Sequence, residues 1–300
     1  MQNKVLVGTA DGLYELGDNA RTLISGHEVT CLASGESALW AIVDGRELWT
    51  SDGNGAWGGV AALETLRANC VLATQSTVLV GTSEAHLFAL QGDALEPVDA
   101  FDATPDRESW YTPWGGPPDI RSMSATPSGA VYANVHVGGV VRSVDAVTSW
   151  EPTIDIHSDV HQVLFEPNEG VVLAASARGL AVTEDDGESW LYETRELHGT
   201  YLRAVAVADE TVIVTASTGP FSKRAAVYRK PLGKDEPFER CSDGLPDWFS
   251  DNIDTHCLAA KGQQVAFGTS DGSVFLSADE GRTWTEARRD LPPVRCVAIE

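Results

Sequence analysis

Acidic and imidazole side chains alternate in one short segment, DIHSDVH, which begins at Asp155. An extended backbone repeats every two residues, so it would present Asp155, His157, Asp159 and His161 on the same side. His136, at a turn one repeat earlier, would be able to join them. Such sets bind Zn²⁺, Mn²⁺ or other divalent ions, or supply a general base that a carboxylate orients. We therefore take His136, His157, Asp159 and His161 as candidate catalytic residues, with a divalent metal as a candidate cofactor and a solvated loop as the alternative.

A second candidate site consists of cations that occupy the same position in a repeated strand pattern. These residues are Arg121, Arg203, Arg295, His161 and His256. Arginine keeps its proton and forms bidentate hydrogen bonds to carboxylate or phosphate. Because burying three guanidinium groups without anions costs free energy, the pattern favours an anionic ligand at this position. The alternative is neutralisation by aspartates that lie close in sequence, namely Asp119, Asp155, Asp159, Asp251 and Asp254.

Long insertions carry a third, aromatic set. Residues 101–118 contain Trp110 and Trp114, and residues 241–252 contain Trp248. Long loops on one rim of a fold usually carry function, and exposed aromatic rings suit stacking on a sugar or contact with a peptide. We expect these three tryptophans to contact the ligand. The alternative is that they cover a hydrophobic rim.

The elements that position these residues follow from a strand signature that returns seven times. A polar residue enters an alternating apolar run at Thr30, Asn69, Arg121, His161, Arg203, His256 and Arg295. The intervals of 39, 52, 40, 42, 53 and 39 residues are typical of a β-propeller with one four-stranded blade per repeat. The innermost strands of a propeller line a central channel, so a position in register becomes a ring. We predict an all-β, seven-bladed propeller that forms a single domain over residues 1–300.

The two ends of the sequence support closure of this ring. The start, KVLVGTADGLYEL, matches the second and third strands of a blade, and PPVRCVAIE near the end matches the missing inner strand. We therefore expect residues 292–300 to pair with a strand near residues 4–9 and to complete the first blade. Closure of this kind removes the exposed edges of an open sheet.

Four blades carry the pattern S/T-x-D-x-G-x-S/T-W between their third and fourth strands. Residues 183–190 and 277–284 match it fully, residues 143–150 lack the glycine, and residues 50–57 have Asn54 instead. The aspartate is expected to accept backbone N–H bonds, the glycine to take a positive φ and the tryptophan to pack between blades.

These motifs resemble the BNR/Asp-box repeat propellers, a group that includes sialidases, sortilin-type domains and WD40/YVTN/BNR-like repeat proteins. The resemblance covers the whole chain and implies that the Asp-boxes are structural and lie on the face opposite the ligand site. A sialidase also needs an Arg-Ile-Pro-like motif early in the chain and a Tyr/Glu nucleophile pair. Neither occurs here, so the resemblance implies a blade type rather than sialidase activity.

The composition excludes several partners. The chain has 44 acidic and 21 basic residues, of which only five are lysine, and a net charge of −23. Phosphate-rich partners need clustered cations, so we expect neither nucleic acid nor an anionic membrane to bind. A salt-rich cytosol would favour such a surface because screening relieves self-repulsion, which makes a halophile one interpretation and an acidic mesophilic protein the other.

The remaining expectations concern location and assembly. The sequence has no apolar run of membrane-spanning length and no secretion signal, so we expect a cytoplasmic monomer. Cys31, Cys70, Cys257 and Cys296 each follow a ring position and are expected to pack between blades as small apolar residues.

The sequence leaves three functions open. The first is a propeller that binds an anionic small molecule, glycan or acidic peptide at the mouth of the channel. The second is a hydrolase or lyase, similar to glycosyl hydrolases, that acts on an anionic saccharide or lactone through the His/Asp cluster. The third is a protein-interaction platform. The fold cannot choose among them, because propellers host all three.

Overall fold

Almost every regular element of the chain is a β-strand. The computed structural model describes residues 3–17, 20–52, 55–137 and 139–300. Their strands form seven four-stranded antiparallel sheets, so the chain is the seven-bladed β-propeller that the repeats predict. Six sheets consist of consecutive strands, and one combines the first three strands with the last.

The blades are numbered along the chain. Blade 1 begins with β1 (Val5–Thr9), β2 (Gly12–Leu16) and β3 (Arg21–Ser25). Blade 2 contains β4 (Val29–Ser34), β5 (Leu39–Val43), β6 (Glu47–Ser51) and β7 (Trp57–Ala62). Blade 3 contains β8 (Ala68–Ala73), β9 (Val78–Thr82), β10 (Leu87–Gln91) and β11 (Ala94–Pro97). Blade 4 contains β12 (Asp119–Ala125), β13 (Val131–His136), β14 (Gly139–Ser143) and β15 (Glu151–Pro152).

The second half of the chain repeats the arrangement. Blade 5 contains β16 (Val160–Glu166), β17 (Val171–Ser176), β18 (Gly179–Thr183) and β19 (Leu191–Glu193). Blade 6 contains β20 (Tyr201–Ala208), β21 (Thr211–Ser217), β22 (Ala226–Pro231) and β23 (Glu239–Arg240). Blade 7 contains β24 (Leu258–Lys261), β25 (Gln264–Gly268), β26 (Val274–Ser277) and β27 (Thr285–Arg288). The last strand, β28 (Val294–Ile299), returns to blade 1.

The predicted closure of blade 1 is confirmed. β1 pairs antiparallel with β28, with Val5 opposite Ile299. Beyond the strand, the Lys4 backbone N–H donates to the Glu300 carbonyl at 2.8 Å, and the Glu300 N–H donates to the Lys4 carbonyl at 2.7 Å. The two sequence ends are therefore joined by a ladder of backbone hydrogen bonds.

Helices are few and short in the described part of the chain. One α-helical turn, α1, spans Asp99–Asp102, and 3₁₀ turns span Arg107–Ser109 and Ile156–Ser158. Among the described residues no helix is long and apolar enough to cross a membrane.

The chain packs as two compact units, each with its own core. Unit 1 comprises the described parts of residues 1–29, 175–181 and 192–300, and unit 2 comprises those of residues 30–174 and 182–191. In unit 1, the rings of Phe249 and Phe275 lie 5.4 and 5.0 Å from that of Phe267. In unit 2, Phe101 packs edge-on against Trp150 at 5.0 Å. Aromatic pairs at these separations stabilise a core beyond the area that they bury.

Cysteines on the innermost strands, or directly before one, contact the next blade, as the sequence predicts. All five cysteines are buried, and none of them forms a disulfide. The Cys70 thiol lies 3.7 Å from the carbonyl of Ile120, and the Cys257 thiol lies 3.2 Å from that of Arg295. Gly81, which faces Cys70 across the strand pair, leaves room for the sulfur, because a Cβ at Gly81 would lie 2.7 Å from Sγ.

The residues of the S/T-x-D-x-G-x-S/T-W pattern, called here the Asp-box, fold into the same hydrogen-bonded turn in three blades. In each turn both oxygens of one aspartate accept bonds from the residue four positions later. For Asp185 and Ser189 the distances are 2.9 Å to the backbone N–H and 2.6 Å to the hydroxyl. Asp279 with Thr283 and Asp145 with Ser149 repeat this geometry.

The backbone at the glycine position of these turns is left-handed, whichever residue occupies it. Gly187 has a φ of 98°, and Val147, which replaces the glycine in blade 4, has a φ of 64°. Trp150 and Trp284 are buried, whereas Trp190 is only partly buried, which is less than the sequence predicts. Asn54, at this position in blade 2, lies outside the described residues.

Candidate functional site

Two histidines and one aspartate of unit 2 converge on a single point. Nε2 of His136 lies 2.9 Å from Oδ1 of Asp159, and Nε2 of His161 lies 3.6 Å from the same oxygen. The two imidazole rings are 5.2 Å apart. Both histidines are buried, whereas the Asp159 side chain is 30% exposed. Oδ1 of Asp159 and Nε2 of His161 are themselves buried, so the exposed part of the Asp159 side chain lies outside the point of convergence.

Three elements of unit 2 bring these side chains together. His136 is the last residue of β13, and His161 is the second residue of β16. The buried amide of Asn134 donates to the Val160 carbonyl at 2.7 Å, which fixes the end of β13 against the start of β16. Asp159 has a left-handed backbone, with φ 50° and ψ 63°, and this turn directs its carboxylate back toward the two rings.

The prediction of an extended segment from Asp155 to His161 is wrong. A 3₁₀ turn at Ile156–Ser158 breaks the period of two. The Asp155 carboxylate accepts the His157 backbone N–H at 2.7 Å and so caps this turn. The His157 ring lies 3.4 Å, through Nδ1, from the Tyr111 hydroxyl instead. Of the four alternating residues, only Asp159 and His161 belong to the cluster with His136.

The surrounding charges stabilise Asp159 as a carboxylate. Burial alone would raise the pKa of Asp159. The hydrogen bond from His136 and the positive charges of His161, His136 and Arg121 outweigh burial, so the pKa lies below its usual value. Arg121, on β12, is therefore close enough for its charge to act on Asp159.

The tryptophans of the first insertion have different environments. Trp114 is 67% exposed and its ring lies 5.6 Å from the His136 ring, so it forms an accessible wall beside the cluster. Trp110 is only 8% exposed and packs against Phe101 at 6.0 Å, with the Arg107 guanidinium 5.0 Å from its ring. The Trp110 ring thus belongs largely to the core, as in the alternative of a covered hydrophobic rim, and its contact with a ligand stays a prediction.

Two of the three ring arginines have carboxylate partners within unit 1. Arg203, on β20, donates to Asp254 at 2.7 Å, and Arg295, on β28, donates to Glu28 at 2.7 Å. This is the neutralisation that the sequence offered as the alternative to an anionic ligand, with Glu28 as an unforeseen partner.

The remaining ring residue, His256, does not lie on a strand. It occupies a turn before β24 with a φ of 67°, and its carbonyl accepts the Val297 N–H at 2.8 Å. Arg121 and His161 belong to unit 2, and Arg203, Arg295 and His256 belong to unit 1. The convergence of all five on one cavity stays a prediction.

Trp248 is the centre of a cationic cluster. The sequence predicted Trp248 as a site residue but did not indicate the arginines around it. The Arg224 and Arg240 guanidinium carbons lie 4.2 and 4.0 Å from the centroid of its ring. Within the described residues neither guanidinium pairs with a carboxylate, and Nε of Arg240 is buried without a hydrogen-bond partner. His198 packs on the same indole at 4.7 Å.

Two long loops of unit 1 hold this cluster in place. Ala225 and Phe249 exchange backbone hydrogen bonds at 3.1 and 2.9 Å, which joins residues 217–225 to residues 241–252. The His198 ring bonds through Nε2 to the Arg224 carbonyl and through Nδ1 to the Tyr228 hydroxyl, both at 2.9 Å. Since a carbonyl only accepts, Nε2 carries the proton. Trp248 was identifiable from its insertion, but its arginines come from separate segments with no common spacing.

The known proteins that resemble this chain do so in structure and not in sequence. No family model matches it, and no curated protein matches it either. A GH74 xyloglucanase from Xanthomonas campestris is 12% identical with a TM-score of 0.65, over 95% of this chain and 46% of that one. YCF48 from Cyanidioschyzon merolae is 18% identical with a TM-score of 0.62, over 93% of this chain and 89% of that one.

A third similar structure is the extracellular domain of BT3049, a putative hybrid two-component system from B. thetaiotaomicron. It is 13% identical with a TM-score of 0.64, and the match covers 96% of this chain and 38% of that one. The chain therefore spans less than half the length of the xyloglucanase and of BT3049. At these identities the likeness shows the fold alone, and that fold is the β-propeller.

Proposed function

We propose that this chain is a propeller of the Asp-box type that binds an anionic ligand through Arg224, Arg240 and Trp248. The ligand group is a carboxylate or a phosphate, either free or carried by an acidic peptide or a glycan. The observation that carries the proposal is the stacking of two guanidinium groups on one indole, without a carboxylate partner in the described residues, in a protein of charge −23.

Stacking leaves the hydrogen-bond donors of an arginine available. A guanidinium that lies over an aromatic ring contacts it through its own flat face. Its N–H groups then point outward in the plane and can bind an anion through two hydrogen bonds. The buried Nε of Arg240 also needs a hydrogen-bond acceptor, because an unsatisfied buried donor costs about 1–3 kcal/mol. A bound anion would satisfy this donor and offset the positive charge of the two side chains.

The environment of the Tyr228 hydroxyl indicates that the positive charges of Arg224 and Arg240 act on the same region of unit 1. Burial raises the pKa of the Tyr228 hydroxyl, while the His198 backbone and the charges of Arg240 and Arg224 oppose that rise. The two guanidinium groups therefore act on one small region, Arg224 from the loop before β22 and Arg240 from β23. The ring arginines Arg203 and Arg295 already hold Asp254 and Glu28, so they are less suited to take an external anion.

Calorimetric titration with inorganic phosphate and with citrate tests the proposal. Arg240→Gln should weaken binding roughly tenfold or more, since a hydrogen bond to a charged group contributes about 1.5–3 kcal/mol. Trp248→Ala should weaken it as well, by releasing both arginines.

Arg203→Gln is the matched control, because Arg203 is also an arginine of blade 6 but is paired with Asp254. Loss of binding in Arg203→Gln with full binding in Arg240→Gln would place the anion at the predicted ring instead. Absence of binding of both anions to the unaltered protein would reject the proposal.

A further inference from the structure

The cluster of His136, Asp159 and His161 has a geometry that an ion pair alone does not require. Both Nε2 atoms face the same carboxylate oxygen, and the three potential ligand atoms lie within 4.8 Å of one another. Each side chain comes from a different local structure, namely the end of β13, a left-handed turn and the start of β16. The three atoms thus surround a common point rather than follow one strand.

The spacing of these atoms matches that of ligands around one metal ion. With metal–ligand bonds of about 2.0–2.1 Å, neighbouring ligands lie about 3.0 Å apart in octahedral and about 3.4 Å apart in tetrahedral coordination. The observed separations from Oδ1 of Asp159 are 2.9 and 3.6 Å. An ion would therefore fit after small movements of side chains.

The donor set indicates the kind of metal. Imidazole nitrogen suits zinc, iron, nickel and copper, whereas magnesium and calcium prefer oxygen ligands alone. Two histidines with one carboxylate leave at least one coordination position open. The ligand atoms Oδ1 of Asp159 and Nε2 of His161 are buried, and the exposed Trp114 ring lies beside His136 at 5.6 Å.

We propose that His136, Asp159 and His161 bind one divalent transition-metal ion of the kind that takes imidazole ligands, and leave at least one coordination position for a further ligand. This inference is independent of the anion site at Trp248, which lies on other residues of unit 1. The positive charge of Arg121, which acts on Asp159, repels any cation at this point, the proposed metal ion included. The same charge would favour an anion as the additional ligand of the metal.

The experiment measures the stoichiometry and affinity of metal binding directly. The intact protein is stripped with a chelator and titrated with ZnCl₂ by calorimetry and with CoCl₂ by visible absorption. We expect one ion per chain and Co²⁺ bands of a site with nitrogen and oxygen ligands. His136→Ala and Asp159→Asn should each weaken binding by roughly a hundredfold or more. The second change is isosteric, and circular dichroism of both variants verifies that the fold is kept.

His86→Ala provides the matched control. His86 also faces an aspartate, with Nδ1 2.9 Å from Asp102, but the pair belongs to no group of three ligands in the described residues. Zn²⁺ binding should be unchanged in this variant. The proposal fails if the unaltered protein does not bind Zn²⁺ or Co²⁺, or if Mg²⁺ competes on equal terms. It also fails if folded Asp159→Asn retains full affinity, or if His86→Ala loses as much affinity as His136→Ala. None of these results depends on whether phosphate or citrate binds.

Discussion

Single residues in this protein are constrained by close contact between blades. Gly81 on β9 shows this directly, since a Cβ there would lie 2.7 Å from the sulfur of Cys70 and 2.5 Å from Cγ2 of Ile120. The same Val-x-x-Gly-Thr sequence returns at residues 5–9 and 265–269. A Cβ on Gly268 would lie 2.4 Å or more from atoms of Val294, so that glycine too is a packing requirement.

Gly81→Ala should destabilise the protein by about 1–3 kcal/mol, because the added methyl overpacks a filled interface. Gly58 is the control, since it also lies in a strand but a Cβ there would meet no atom within 4 Å. Gly58→Ala should leave the free energy of unfolding unchanged or raise it slightly. Urea denaturation of both variants measures the difference, and equal stability of the two would contradict this account of the packing.

At the scale of the elements, the Asp-box turns depend on ionised aspartates. The hydrogen bonds from Ser189 lower the pKa of Asp185 to about 2. Burial tends to raise the pKa of Asp279, but hydrogen bonds led by that from the Thr283 backbone bring it to about 2. An aspartate whose pKa is lowered by folding stabilises the folded state above its unfolded pKa of about 3.9. That contribution is lost as the pH falls toward the folded pKa.

The melting temperature should therefore fall as the pH is lowered from about 4 to about 2. Asp185→Asn should lower the melting temperature at neutral pH and make its fall between these pH values shallower, because one of the titrating groups is gone. Glu184→Gln, at the exposed neighbouring position, serves as the control and should keep the original slope. If the melting temperature of Asp185→Asn falls with pH as steeply as that of the unaltered protein, this turn does not contribute to the loss of stability in acid.

The strands were predictable from the sequence, whereas the candidate functional sites were predictable only in part. Alternation of polar and apolar residues is a local property, so it locates β12 and β16 close to their observed bounds, and the repeat then fixes the fold. Contacts between distant segments leave no such pattern. The burial of Trp110 depends on Phe101 and Trp150, and the proposed anion site depends on Arg240, which lies on an outer strand. The 3₁₀ turn at Ile156–Ser158 depends on a cap by Asp155 that the periodicity does not reveal.

The whole molecule carries a charge of −23 on 300 residues, with 44 acidic side chains. Like charges repel each other, and folding brings them closer together than they are in the unfolded chain. Salt shortens the range of this repulsion from about 10 Å at 0.1 M to about 3 Å at 1 M. Ion pairs such as Arg203–Asp254 would be weakened as well, but the excess of acids makes repulsion the larger effect.

We therefore expect the melting temperature to rise as KCl is increased from about 0.1 M to about 1 M. A sugar at matching osmolality controls for general effects of solutes and should raise it less. A melting temperature that stays constant or falls with KCl would mean that the surface charges are already balanced locally.

The buried thiols at the contacts between blades also bear on the chemical durability of the protein. Only a thiolate reacts readily with oxidants, and burial raises the pKa of Cys70 and Cys257 well above its ordinary value. The sulfurs are thus shielded twice, by packing and by their protonation. Oxidative damage at these positions requires a blade to separate transiently from its neighbour, so its rate is limited by how often the protein opens locally there.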